Sequence, residues 1–394
     1  MSYLDKLLHG VEVEWKTLGE VCILSRGRVM SKEYLAENAG EYPVYSSQTA
    51  NNGEIGKIKT FDHDGEAVTW TTDGANAGTV FHRTGKFSIT NVCGLIKVKN
   101  IEELNYKFLF YWLSIEAKKH VYSGMGNPKL MSNQMAKIPI PIPPLSVQKE
   151  IVRILDSFTE LTAELTAELT AELTARKKQY DYYREKLLSF EEGDVEWKPL
   201  GEVCDFQNGF AFQSNLFKDS GLPIVRITNI NGVNVDLSDV KYFSPDDYNS
   251  GNPLNYAIVK GDILIAMSGA TTGKIGYYNL DEKAYLNQRV GKFIPNKELL
   301  NNRFLFHFLL TKNEFLYVLA GGGAQPNLSS NAIKEKLLIP IPPLSEQERI
   351  VAILDKFDVL TTSISEGLPR EIELRQKQYE YYRDLLLTFP KNNI

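Results

Sequence analysis

The sequence predicts an α/β protein: two α/β domains separated by two long antiparallel helices in a coiled coil, with an internal pseudo-two-fold and circularly permuted repeats. Three observations predict it. The first is duplication: ValGluTrpLysThrLeuGlyGluValCys from Val13 returns as ValGluTrpLysProLeuGlyGluValCys from Val195, and IleProIleProProLeuSer from Ile140 returns from Ile339. The second is that an apolar-periodic stretch follows each Pro-rich joint and ends in GlnTyrAspTyrTyrArg from Gln179 or GlnTyrGluTyrTyrArg from Gln378. The third is permutation. TyrLeuAspLysLeuLeu from Tyr3 matches TyrArgGluLysLeuLeu from Tyr183, so the chain opens with the tail of a helix whose body lies at the other end, and the two ends should meet. A duplicated chain is built as two similar halves, and its partner should be two-fold or bipartite too.

With 394 residues the chain has room for two or three domains, each able to bury its own core. At 43% apolar and 24% charged residues it has a globular composition. No run of eighteen apolar residues occurs and the opening lacks a charged-then-apolar segment, which leads to the expectation of a cytoplasmic protein. Cys22, Cys93 and Cys204 are an odd number without close spacing, which argues against disulfides and zinc.

Read in order, residues 1–145 hold a helix tail and the first globular domain, 146–190 the central helix, 191–344 the second globular domain and 345–394 the C-terminal helix. Links containing Gly10 and Gly193 suit helix stops. The globular segments carry β-prone runs such as GluAlaValThrTrpThrThrAspGly from Glu66 and GlyAspIleLeuIleAlaMetSerGly from Gly261. Each also carries an amphipathic helix, from Tyr106 and from Arg303. IleProIleProPro cannot be helical and reads as an extended, stiff exit. Ser146 and Ser345 then stand where helix N-caps belong, with Glu348 at capping-box spacing from Ser345.

Each long helix spans roughly 67 Å at the standard rise. Its apolar seam runs Ile151, Ile154, Phe158, Leu161, Leu165, Leu169, Leu173, Tyr180, Tyr183 and Leu187, and the same pattern returns 199 residues later from Ile350 to Leu386 by way of Ile364. Matching seams should pack antiparallel. Pro369 should kink the second helix near its middle. Inside the first helix ThrAlaGluLeu occurs at Thr162, Thr166 and Thr170. Each copy adds about 6 Å and 40°, so the array is either a ruler between two domains or helix filler made of good helix formers.

The chemistry that is missing narrows the function. GlyAlaThrThrGlyLysIle from Gly269 is one residue short of a phosphate loop and has Ile275 where Ser or Thr should hold magnesium. His9, His63, His82, His120 and His307 neither recur between the halves nor form a metal spacing. An enzyme duplicated this faithfully should carry a duplicated catalytic cluster, and none is visible, so the chain reads as a binding protein.

On its GluTrpLysxLeuGlyGluVal starts, its IleProxProProLeuSerxGln joints and its helices ending in GlnTyrxTyrTyrArg, the chain resembles the specificity (S) subunits of type I restriction-modification systems. The tetrapeptide array resembles that of the IC branch. The resemblance covers the whole length. It implies two target-recognition domains on double-stranded DNA, each reading half of a split site, with two methyltransferase (modification) subunits on the helices and restriction/translocase subunits beyond. It further implies that this chain catalyses nothing and holds no cofactor, with S-adenosylmethionine, ATP and Mg on the partner subunits.

Charge agrees with a subunit better than with an independent DNA binder. Residues 21–138 hold 14 Lys and Arg against 11 Asp and Glu, residues 203–337 hold 13 against 12, and the remainder 17 against 26. Phosphate neutralisation supplies much of DNA affinity, so additional grip should come from partners. Candidate base readers are the polar residues at corresponding places of the two halves. Arg26 and Arg28 face Gln207 and Asn208; Thr72 and Asn76 face Ser268, Thr271, Thr272 and Lys274; Lys129 faces Gln325 and Asn327. Ser47, Gln48 and Asn51 have no obvious counterpart. Gly, Asn and Ser equally suit turns at these places. Trp70 and Phe210 could stack on bases, although buried aromatics are commoner. Tyr182, Arg184, Tyr381 and Arg383 are candidates for gripping methyltransferase subunits. The alternatives are a coiled-coil adaptor whose globular halves bind protein, and a free-standing methyltransferase or nuclease, which the missing catalytic cluster disfavours.

Overall fold

A computed structural model describes residues 3–123, 126–191, 193–249, 251–322, 326–362 and 366–390. Two compact units emerge, residues 1–168 with 372–394 (unit 1) and residues 169–371 (unit 2), so the division crosses the 43-residue helix Leu145–Leu187.

In unit 1, GluTrpLys forms a strand, Glu14–Thr17, paired antiparallel with Pro139–Ile142. The Pro-rich joint is thus half of a two-stranded ribbon rather than a free exit. Ile140 and Ile142, which keep their N–H groups, lie opposite Lys16 and Glu14, while the prolines take alternate positions that an edge strand tolerates. The main sheet runs Cys22–Arg26, Cys93–Val98, Ala67–Thr71 and Val80–Arg83, antiparallel throughout. Every residue of Ala67–Thr71 is buried. A smaller mixed sheet sets Ala39–Tyr45 antiparallel to Glu54–Ile58 and parallel to Ser88–Ile89. The chain ends meet as expected: Leu4 and Leu8 share one core with Leu386, Leu387 and Phe389.

Unit 2 repeats the plan. Glu196–Pro199 pairs with Leu338–Ile341, and Cys204–Asn208, Val290–Pro295, Ile263–Ala266 and Ile275–Tyr277 make the main sheet. Its second sheet has four strands, Lys241–Phe243, Leu222–Val225, Ala284–Leu286 and Ala257–Ile258. Again one pairing, between Leu222–Val225 and Ala284–Leu286, is parallel.

One buried glutamine in each unit fastens the long helical segments to the domains. Gln148 and Gln347 are fully buried. Gln148 accepts from the Asn105 N–H at 2.9 Å and donates to the carbonyls of Glu103 and Pro143, both at 2.8 Å. Gln347 does the same with Asn301 at 2.8 Å and with Leu299 and Pro342, both at 2.9 Å. In each case one carboxamide ties the approach to a domain helix, Tyr106–Glu116 or Asn302–Leu310, to the start of a long helix. The side chains of Asn105 and Asn301 meanwhile cap those domain helices.

Several expectations about the helices need correction. Helices begin at Leu145 and Leu344, with the Pro144 and Pro343 carbonyls accepting from the first turn, so Ser146 and Ser345 lie inside the helices and do not cap them. The C-terminal segment is two helices, Leu344–Thr362 and Leu368–Leu386, rather than one kinked at Pro369. Gly367 accepts from Arg370 and Glu371, and Pro369 falls in the first turn, where its missing N–H costs nothing. Proline starts the second helix there. Ile364 lies outside the described residues. Leu161, assigned to the seam, is 52% exposed, whereas Leu165, Leu169 and Leu173 are half-buried.

Within unit 1 the helices run antiparallel, with Phe158 against Tyr382 and Thr159 bonded to Tyr379. Within unit 2, Tyr180 and Tyr183 stack on Phe357.

A second fastening occupies equivalent places with different chemistry. In unit 1, Lys107 and the Tyr111 hydroxyl both reach Asp156, at 2.6 and 2.8 Å. In unit 2, Arg303 bridges Asp355 and Asp358 at 2.6 and 2.8 Å. His307, fully buried, joins Asp355 through Nε2 at 2.7 Å and the Tyr180 hydroxyl through Nδ1 at 3.1 Å. With Asp355 ionised, Nε2 donates and Nδ1 accepts from the tyrosine, which is the neutral tautomer.

Two outcomes follow. Replacing Gln148 or Gln347 by leucine leaves an N–H and two carbonyls buried and unpaired, and each should cost about 3 kcal/mol in chemical denaturation; a change below about 0.5 kcal/mol would remove the clamp's structural role. Burial holds the His307 imidazole below its ordinary range, and its partners hold Asp355 below the usual carboxylate range. The unfolded chain therefore takes up these protons first, and stability falls as pH drops, beginning near the free-histidine value of about 6.5. His307→Tyr, which installs the unit 1 residue, should flatten the fall in thermal midpoint between pH 7 and pH 5.

Candidate nucleic-acid interface

Three segments distant in sequence meet in each unit. In unit 1 they are the strand end at Arg26, the turn after Thr71 and the loop carrying Lys129. Arg26 donates to the Thr72 hydroxyl at 2.7 Å and lies 3.7 Å from Asp73, whose other oxygen is 4.0 Å from Lys129. Backbone bonds lock the pair of loops: Gly74 N–H to the Pro128 carbonyl and Leu130 N–H to the Thr72 carbonyl.

Unit 2 uses the same lock, from Gly269 to Pro326 and from Leu328 to Met267. Ser268 pairs with Asn327 as Asp73 pairs with Lys129. Asn208, at the strand end, reaches Ser330 at 3.4 Å. Segment by segment the halves correspond, Arg26 with Asn208, Asp73 with Ser268 and Lys129 with Asn327, but Arg28 answers to Phe210 and Thr72 to Met267 rather than to the polar residues matched from sequence.

A glycine follows each strand end for a steric reason. A Cβ at Gly27 would stand 2.0 Å from the Ile89 carbonyl oxygen, and one at Gly209 2.0 Å from that of Asn287. That close approach carries the chain onward to bridges between Arg28 and Thr90 and between Phe210 and Asn287.

The other candidates fall into distinct groups. Arg28 is exposed and engaged with Asp62 and Tyr34. Gln48, Asn51, Asn76, Lys274 and Asn327 are exposed, and Ser47 is half-buried. Thr72 and Thr272 are buried; Thr72 receives Arg26, and Thr272 donates to the Gly269 carbonyl at 2.7 Å, so both shape their loops from inside. Thr271 donates to the Ile227 carbonyl, and Gln207 to that of Asn255. Gln325 lies outside the described residues. Trp70 is fully buried with its indole N–H on the Leu130 carbonyl, and Phe210 packs among Phe212, Tyr248 and Tyr256, so neither is placed to stack on a base.

Three residues of these loops and the strands beside them escape the sequence reading. Asp73 sits between two cations, in the hexapeptide that also carries Thr72 and Asn76. Arg289 is exposed and lines, with Gln288, Ser268 and Asn327, a polar cleft of about 680 Å³ in unit 2. Only its place before a buried strand could have signalled it. Arg83 is buried, and no local pattern marks it.

On the helices, Tyr182 and Tyr381 are 57% and 65% exposed. Arg184 and Arg383 instead fold back over the rings of Tyr180 and Tyr379, paired with Asp181 and Asp384. Burial pushes the thiols of Cys22, Cys93 and Cys204 up to about 12, which keeps them protonated and unreactive. Among the described residues no three His, Cys, Asp or Glu side chains gather as a metal site requires, and no helix is long and apolar enough to cross a membrane.

The profile of the type I restriction modification DNA specificity domain matches residues 10–175 and again 192–374, one match for each set of converging loops. The chain belongs to the specificity subunits of type I restriction-modification systems. It is 36% identical to the specificity subunit of the Escherichia coli type I restriction enzyme EcoR124I/EcoR124II, over 99% of this chain and 98% of that one. A putative type I specificity subunit of Haemophilus influenzae is 40% identical, over 98% of each. Among solved structures, a chain of a type I R-M system described for its complex assembly and conformational transition superposes with a TM-score of 0.65 at 18% identity, covering 96% of this chain and 98% of that chain. The HsdS subunit from Thermoanaerobacter tengcongensis gives 0.51 at 18%, covering 96% of each. A specificity subunit supports recognition of DNA sequence and is non-catalytic.

Gly27→Ala and Gly209→Ala force a carbonyl away from each strand end. Each should lower stability by about 2 kcal/mol or more in denaturant titration, and an unchanged midpoint would show that the strand end can shift without consequence.

Proposed function

We propose that each unit reads one half of an asymmetric bipartite DNA site, that the helices set the unread spacer between the halves, and that they scaffold methyltransferase and restriction subunits. The observation that carries this reading is the pair of matching loop triads with unlike chemistry. Arg26, Asp73 and Lys129 offer two cations and an acceptor; Asn208 and Asn327 offer neutral amides, with the Ser268 hydroxyl buried at the same turn. Arginine suits guanine and asparagine suits adenine, so the half-sites should differ in sequence. Mapping methylated sites in cells that carry the complex tests it. An asymmetric split motif is expected, and a palindromic motif with identical halves contradicts the reading.

The near-neutral globular segments support a grip shared with partners. Methyltransferase subunits, one at each equivalent helical surface, would meet the exposed Tyr182 and Tyr381. These are better probes than Arg184 and Arg383, whose stacking on tyrosine is part of the fold. Tyr182→Ala with Tyr381→Ala should weaken assembly while leaving the thermal midpoint within a degree or two. A wild-type complex with one methyltransferase subunit, seen by native mass spectrometry, would overturn the two-site arrangement.

The helix continues unbroken through all three ThrAlaGluLeu copies, which supports the ruler. Deleting one copy removes about 6 Å and 40° of helix, against about 3.4 Å and 35° for one base pair. Groove orientation is the stricter demand. The deletion should keep both half-site sequences and shorten the spacer by a single base pair; an unchanged spacer makes the repeat filler.

A further inference from the structure

Arg83 ends the strand Val80–Arg83 in unit 1 and belongs to none of the loop triads. It is 3% exposed. Its Nε donates to the Thr69 hydroxyl at 3.2 Å and its Nη2 to the Asn52 carbonyl at 2.8 Å, and the guanidinium lies 3.6 Å over the Tyr45 ring centroid. Nη1 is buried with no hydrogen-bond partner among the described residues. Neutral oxygens, not a carboxylate, take both of its hydrogen bonds, and a buried cation held that way is costly to the fold.

What the cation holds is the Ser46–Gly53 loop between two strands of the smaller sheet. Ser46 N–H closes the loop on the Gly53 carbonyl at 2.9 Å, and the Gln48 amide reaches the Glu54 carbonyl at 2.5 Å. Asn51 and Asn52 both take left-handed backbone, with φ of 49° and 52°, and Gly53 follows at 81°. Asparagine tolerates that region best among side-chain-bearing residues, yet two in a row need external support. The Arg83 bond falls on the second of them. Gln48, Asn51 and Asn52 remain exposed.

We infer that Arg83 is a positioning residue that fixes this loop so that Asn51 reads a base, an adenine by its carboxamide chemistry, in the half-site of unit 1 alone. The inference rests on the proposed reading of half-sites, and it adds a fourth, unduplicated element to the unit 1 triad. Lysine at position 83 would keep the charge but could not serve both oxygens in a fixed fork.

The test is methylation mapping with the complete complex carrying Asn51→Gly or Arg83→Lys. Asn51→Gly keeps the left-handed backbone and removes the amide; it should relax one position of one half-site by about tenfold. Arg83→Lys should relax that same position and leave the other half-site unchanged. Should Arg83→Lys fail to fold, Gly53→Ala, whose Cβ would lie 3.1 Å from Nη2, must relax the same position. Unchanged stringency in Asn51→Gly, or a uniform loss over both half-sites in Arg83→Lys and Gly53→Ala, overturns the inference. A wild-type complex with no split motif would instead defeat the half-site reading on which it stands.

Discussion

A single carboxamide per unit decides how the long helical segments leave the domains. Gln148 and Gln347 each bind one N–H and two carbonyls in a site closed to water, so each replaces three bonds that the backbone would otherwise make with solvent. Leaving such groups unpaired costs about 1–3 kcal/mol apiece, far more than any exposed ion pair along the helices contributes. The ribbon of alternating prolines beside it fixes the chain's approach, and the carboxamide fixes its departure. Because both features are duplicated, the helical exit from each unit is set by the same geometry.

The second fastening shows how a duplicated frame tolerates divergence. Lys107, Tyr111 and Asp156 in unit 1 stand where Arg303, His307 and Asp355 stand in unit 2, and only the latter set encloses a titratable imidazole. The loop triads diverge further. Their backbone locks are the same in both units, but the groups they offer change from charged to neutral. Phosphate neutralisation supplies much of DNA affinity, and globular segments so near neutrality fit the proposal that the loops supply specificity and partner subunits add grip.

The repeated segments make much of this legible in the sequence. Strands, domain helices and the meeting of the chain ends follow from repeats and periodicity, but the pairing of residues 71–76 with 126–129 does not, because matching one half to the other says nothing of which loops within a half meet. Other features were hidden because tertiary context overrode local signals. Ser146 looked like a cap, but the proline carbonyl before it already closes the first turn. Pro369 looked like a kink, but Gly367 lets it begin a new helix. Thr72 and Thr272 looked like readers because their tripeptides are polar, whereas burial turns them inward. Arg83 could not be found at all, since a lone arginine at a strand end carries no pattern until its partner loop is folded over it.

The central claim is that a duplicated frame carries two independent readers of sequence. It is tested most directly by replacing residues 203–337 with a second copy of residues 21–138, keeping both joints and both helical segments, and mapping the sites that the resulting complex methylates. The account predicts a symmetric motif in which the unit 1 half-site appears twice as an inverted repeat. Retention of the original asymmetric motif, or loss of sequence preference in an intact, assembled complex, would contradict it.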